Sequence, residues 1–98
     1  MSEHPIHIGI LTVEVFMPQA ASLKEKRSIL RSAVRRLRNK FNVSVAEIDF
    51  QDIWQRGVLG IVIVGTDKPF LNSVLDKIVD LLESFHGLAL ADYAIEFI

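Results

Sequence analysis

The chain has no cysteine among its 98 residues. Disulfide staples, thiolate metal sites, iron–sulfur clusters and thiol nucleophiles are therefore excluded, and a reducing compartment suits it. Long apolar runs are also missing. The longest, residues 58–65, is far short of the ~20 residues a membrane-spanning helix requires. No basic stretch followed by an apolar one opens the chain, so no signal peptide is expected and the expected location is cytoplasmic. Low-complexity segments, linkers and glycine-rich phosphate loops are absent, and the length suits one domain spanning residues 1–98.

Apolar residues, by contrast, are plentiful. They make up 50% of the chain against 23% charged, so some are expected to be buried against a partner. The formal net charge of −1 hides a division: residues 24–40 hold eight basic side chains and one acid, and everything else is acidic on balance. One cationic element in an anionic chain is the first clue to partners.

Residues 7–17 are β-branched and alternate, with Leu11, Val13 and Val15 on one face and Ile10, Thr12 and Glu14 on the other, which predicts a strand ended by Pro18. Ser22 and Glu25 stand three apart as a capping box: the Ser22 hydroxyl accepts from the Glu25 N–H while Glu25 reaches back to the Ser22 amide. A helix then starts at Leu23, with Leu23, Leu30, Val34, Leu37 and Phe41 on one face and Asn42 as the stop. Two further strands, 43–50 and 58–65, flank a polar turn. Asp67 followed by Pro69 marks a second helix start. Phe70, Leu71, Val74, Leu75, Ile78, Leu81, Leu82 and Phe85 form its apolar face, Gly87 ends it, and residues 90–98 make the last strand.

The order β-α-β-β-α-β predicts an α+β ferredoxin-like sandwich, with a four-stranded antiparallel sheet and both helices on one face. The other face is then open. It is expected to carry Ile10, Val43 and Val45 mixed with Glu14, Glu47 and Asp49, and a second copy is its simplest cover.

On the first helix, Lys24, Arg27, Arg31, Arg35 and Arg38 fall within roughly 80° at ~100° per residue. Arginine suits bidentate phosphate contacts, so this stripe is the candidate nucleic-acid surface. The plainer reading is a solvated face whose charges pair with Asp76, Asp80 and Glu83. The turn holding Trp54, Gln55 and Arg56 is the candidate partner-binding site, because function concentrates on loops and Trp and Arg are favoured anchors. Alternatively Trp54 caps one end of the core and Arg56 pairs with Asp52.

Base-stacking aromatics of the RRM type are lacking on the central strands, so any RNA contact is electrostatic and shape-based. The glycines at 57 and 60 match the GxxG spacing but enclose an apolar pair at a strand start, unlike the KH loop. Catalytic signals are poor. His4, His7 and His86 share no metal-site spacing, Ser22 serves as a cap, and Glu14, Glu47 and Asp49 form at best a carboxylate group on a solvated sheet face. Acylphosphatases share the fold but bind phosphate with an arginine after the first strand, where residues 17–21 read MPQAA. The sequence therefore points to a non-enzymatic binding module with no cofactor and no metal.

The segments Ser-Leu-Lys-Glu-Lys-Arg at 22–27 and Asn-Val-Ser-Val-Ala-Glu at 42–47, followed by Gln-Asp-Ile-Trp-Gln-Arg and Leu59-Gly60, resemble the YlxP-like family of small bacterial proteins of unknown function. The resemblance covers nearly the whole chain and implies a ferredoxin-like fold. Genes of that family often neighbour those for translation initiation and ribosome maturation, which implies an RNA or ribosomal partner by association and brings no catalytic residues. The expected function is thus contact with RNA or a ribosomal particle through the first helix. The alternative is a dimeric protein-interaction or ligand-sensing domain using the open sheet face and the Trp54 turn.

Overall fold

Residues 3–98 are described by a computed structural model. Six elements follow the expected order: β1 (His7–Phe16), α1 (Leu23–Lys40), β2 (Ser44–Asp49), β3 (Arg56–Gly65), α2 (Lys68–Glu83) and β4 (Ala89–Phe97). The strands form one antiparallel sheet in the order β2-β3-β1-β4, which is the α+β ferredoxin-like arrangement.

Twofold alternation decides which side chains meet the helices. Leu11, Val13 and Val15 of β1 and Leu59, Ile61 and Ile63 of β3 point into the core, where Leu30, Leu37, Leu75, Ile78 and Leu82 of the helices cover them. Val45 of β2, the ladder partner of Ile61, joins the same core. This corrects the expectation for the open face: Val45 and Glu47 lie on the helix side, and Val43 packs against the core. Parity in a strand as mixed as SVAEID is set by the partner strand rather than by its own polarity.

Helix α1 begins as the capping box requires, with the Glu25 N–H donating to Ser22 Oγ at 3.1 Å. The return bond differs by one residue from expectation, because Glu25 Oε2 accepts from the Ala21 N–H at 2.7 Å rather than from Ser22. Its most buried stripe is Lys26, Leu30, Ala33 and Leu37, with Val34 and Phe41 half-buried beside it. Phe41, not Asn42, is the C-cap.

In α2 the Asp67 carboxylate accepts from the Phe70 N–H at 3.1 Å. Phe70 itself is 60% exposed, since it stands ~100° away from the Leu71–Leu75–Ile78–Leu82 stripe. Val79 takes a buried place instead. The helix ends at Glu83, and the turn after it closes with Gly87 at φ +86°, a conformation that favours glycine.

Candidate nucleic-acid interface

Helix α1 packs over β2, and α2 packs over β1, β4 and β3. On α1, Ile29 lies against Gly87 and Arg36 lines a cavity of about 300 Å³ with Leu81, Ser84, Phe85 and His86, so this side of the helix faces α2. The stripe of Lys24, Arg27, Arg31, Arg35 and Arg38 lies ~100–180° away around the helix. All five residues are exposed.

Arg38 shows where the stripe points. Its Nη2 donates to the Val45 carbonyl of β2, an edge strand, at 2.8 Å. The stripe therefore borders the β2 edge of the sheet. Among the described residues there are two ion pairs, Lys26–Glu47 and Arg56–Glu14, and neither involves the stripe. Pairing of the arginines with Asp76, Asp80 and Glu83 does not occur, because those acids are on α2, on the far side of α1.

The residue that reading the sequence missed is Lys26. Its side chain is 0% exposed, with Nζ 2.9 Å from Glu47 Oε2 and 2.5 Å from the Phe50 carbonyl oxygen. The Glu47 approach lies outside hydrogen-bond geometry, so it is a charge–charge contact and Oε2 is buried without a hydrogen bond. Burying a charge is costly unless it is paired and hydrogen-bonded, and here the lysine has both kinds of partner. A signal was present: Lys26, Leu30, Ala33 and Leu37 recur at spacings of 4, 3 and 4, which places the lysine on the buried stripe.

Lys26 ties the first turn of α1 to the β2–β3 turn. There the ladder shifts register after Glu47, and Phe50 takes φ 59°, a left-handed conformation rare for a bulky side chain. Asp49 Oδ1 accepts from the Phe50 N–H at 2.8 Å, and the Phe50 carbonyl also accepts from the Ile53 N–H at 3.0 Å. The turn is thereby held from both ends.

Of the three candidate partner residues in the turn, each has its own environment. Trp54 is 52% exposed and does not cap the core. Gln55 is structural, with Nε2 donating to the carbonyls of Pro18 at 3.2 Å and Ala20 at 3.4 Å. Arg56 pairs with Glu14 at 3.1 Å rather than with Asp52, and its guanidinium sits 4.4 Å from the Phe50 ring centroid and 5.7 Å from that of Phe16. The supposed carboxylate group dissolves: Glu14 holds Arg56 on the open face, Glu47 holds Lys26 on the helix face, and Asp49 caps the turn. Among the described residues, no cluster of three His, Cys, Asp or Glu could hold a metal ion.

Fold and surface together define a small ferredoxin-like domain with one strongly basic, outward-facing helix. Residues 8–95 match the model of a family of proteins of unknown function, DUF503, and the chain belongs to that family. It is similar to the uncharacterized protein YlxP of Bacillus subtilis (strain 168), at 40% identity over 78 residues, covering 80% of this chain and 85% of that one. It also resembles the solved structure of a de novo designed protein, Foldit4, with a TM-score of 0.54 at 8% identity over 94% of this chain and 96% of that chain. The last likeness shows the fold alone. No helix among the described residues is long and apolar enough to cross a membrane.

Proposed function

We propose that the chain is a non-enzymatic module that contacts RNA, free or in a ribosomal particle, through Lys24, Arg27, Arg31, Arg35 and Arg38. The observation that carries this reading is that the stripe has no counter-charge among the described residues. The five side chains are exposed on one side of an 18-residue helix, and among the described residues no acid pairs with any of them, although Arg38 also donates to the Val45 carbonyl. Like charges successively ~5–6 Å apart repel one another, so an unpaired row of them costs stability and gains a favourable partner in a polyanion. The ladder of spacings follows a phosphate backbone, and four of the five are arginines that can hold phosphate oxygens in a fork.

Backbone contacts of this kind release counterions. Four to five phosphates at about −0.7 each predict a slope of log affinity against log salt of roughly −3 to −3.5 on single-stranded RNA. Arg31→Glu with Arg35→Glu should weaken binding to a similar degree on every sequence tested, because phosphate contacts carry no sequence information. Titration of labelled single-stranded RNA at several salt concentrations measures both. Weak binding at low salt, or binding unchanged by the double substitution, would overturn the reading.

A second reading has one observation in its favour: Trp54 and Ile53 are exposed on a turn that is otherwise tightly tied. A protein partner engaging that turn would be lost on Trp54→Ala and would be insensitive to salt.

A further inference from the structure

The sheet face away from the helices is divided into two unlike halves. Even-numbered residues of β1 and β3 line its centre, paired as Ile8–Val64, Ile10–Val62, Thr12–Gly60, Glu14–Val58 and Phe16–Arg56. At one end the charged groups already have partners. Glu14 and Arg56 pair, the guanidinium stacks on Phe16 and Phe50, and Val58 beside them is only 7% exposed. At the other end, among the described residues, Val62, Val64 and Ile98 are exposed and Ile8 and Ile10 only half-buried. Ile98 belongs to this end through its paired backbone bonds with Ile8. The flanking strands differ too. The β2 side presents Ser44, Ala46 and Ile48, with Ile48 lying across Gly60 where a Cβ would stand 3.2 Å from it. The β4 side presents Asp92, Ala94 and Glu96.

We propose that this face is the interface of a homodimer whose twofold axis runs parallel to the strands, between β1 and β3. That axis lies at the centre of the β2-β3-β1-β4 order, so the two sheets overlap completely. It sets β1 of one copy over β3 of the other, which places apolar half on apolar half: Ile8 over Val64, Ile10 over Val62. At the other end Glu14 of each copy comes beside Arg56 of its partner. Each β4 edge, carrying Asp92 and Glu96, falls on a β2 edge that presents no charge on this face. An in-plane axis perpendicular to the strands fails on the same residues, since it stacks Glu96 on Asp92 and drives the Glu14–Arg56 pair onto the apolar end. Self-complementarity of this sort is what an isologous interface requires, and like charges brought together across an interface oppose association.

The area suffices. The 35 strand residues, at ~3.3 Å rise and ~4.8 Å strand spacing, make a face of about 550 Å² per copy, or about 1,100 Å² in total, above the ~1,000 Å² that a specific interface should clear. Two such sheets pack face to face with their strands crossing at about −30°.

Sedimentation at micromolar concentration should give a dimer for the unaltered chain. Val62→Glu and, separately, Val64→Glu should give folded monomers, with unchanged circular dichroism, because both side chains point away from the core. The absence of cysteine makes the axis testable. Ala46→Cys and Ala94→Cys, each exposed and each on a different edge, should cross-link with a short bis-maleimide only when the two variants are mixed. A monomeric unaltered chain, or a dimer that survives both glutamate variants, overturns the interface. Cross-linking of either cysteine variant with itself overturns the axis.

Discussion

The two helices lie on one face of the same sheet, yet they are anchored by different means. Helix α2 buries Leu71, Leu75, Ile78, Val79 and Leu82, five aliphatic side chains in one stripe. Helix α1 buries only four residues, and these include an alanine and a lysine. It makes up the difference with a reciprocal cap at Ser22 and Glu25, the Lys26 contacts to Glu47 and Phe50, and the Arg38 bond to Val45. The comparison teaches that α1 is held to the sheet by specific polar ties along its inner and β2-facing sides. Its outer side carries the rest of the basic row, Lys24, Arg27, Arg31 and Arg35, which is exposed and makes no ion pair among the described residues.

That contrast breaks most sharply in α2. Leu75→Ala removes a side chain with no exposed surface and should cost about 2–5 kcal/mol in chemical denaturation. Helix α1 should respond most to loss of charge rather than of volume. Lys26→Met should cost about 3 kcal/mol, because Glu47, whose side chain is 25% exposed, is left without its counter-charge. Adding Glu47→Leu to Lys26→Met should recover most of that loss, and additive costs in this cycle would show that the two residues do not act as a pair. Next in size are the caps. Ser22→Ala and Asp67→Ala should each cost about 0.5–2 kcal/mol, while the neighbouring Gln19→Ala stays within about 0.5. Smallest of all is the outer side of α1: Arg31→Glu and Arg35→Glu together should move stability by no more than about 1 kcal/mol. A larger drop in melting would mean that Arg31 and Arg35 have a structural role, against the lack of ion pairs to them among the described residues.

Much of this was legible from local patterns. Both helix starts rest on a side chain and a backbone N–H three residues apart, so Ser22–Glu25 and Asp67–Phe70 announce them from sequence. The alternation in β1 is regular enough to assign faces, and the basic stripe follows from helical periodicity alone. Partner choice was not legible in this way. Arg56 is close in sequence to Asp52 but pairs with Glu14, because antiparallel pairing of β1 with β3 sets Phe16 against Arg56 and brings Glu14 within reach. The arginines of α1 were open to pairing with α2 acids until the helix orientation turned them toward β2.

What the amino-acid order determined by itself is the element sequence, the class of fold, the absence of cysteine chemistry and the concentration of positive charge on α1. These depend on residue type and short-range spacing, over which backbone geometry is nearly fixed. The tertiary structure alone decided the parity of β2, and with it which acid meets Lys26. It also decided which half of the open face stays apolar and uncovered. Each of these depends on register between strands distant in the chain, and shifting register by one residue exchanges the two faces of a strand. Val45 and Glu47 accordingly went to the helices, and Ser44, Ala46 and Ile48 to the open face.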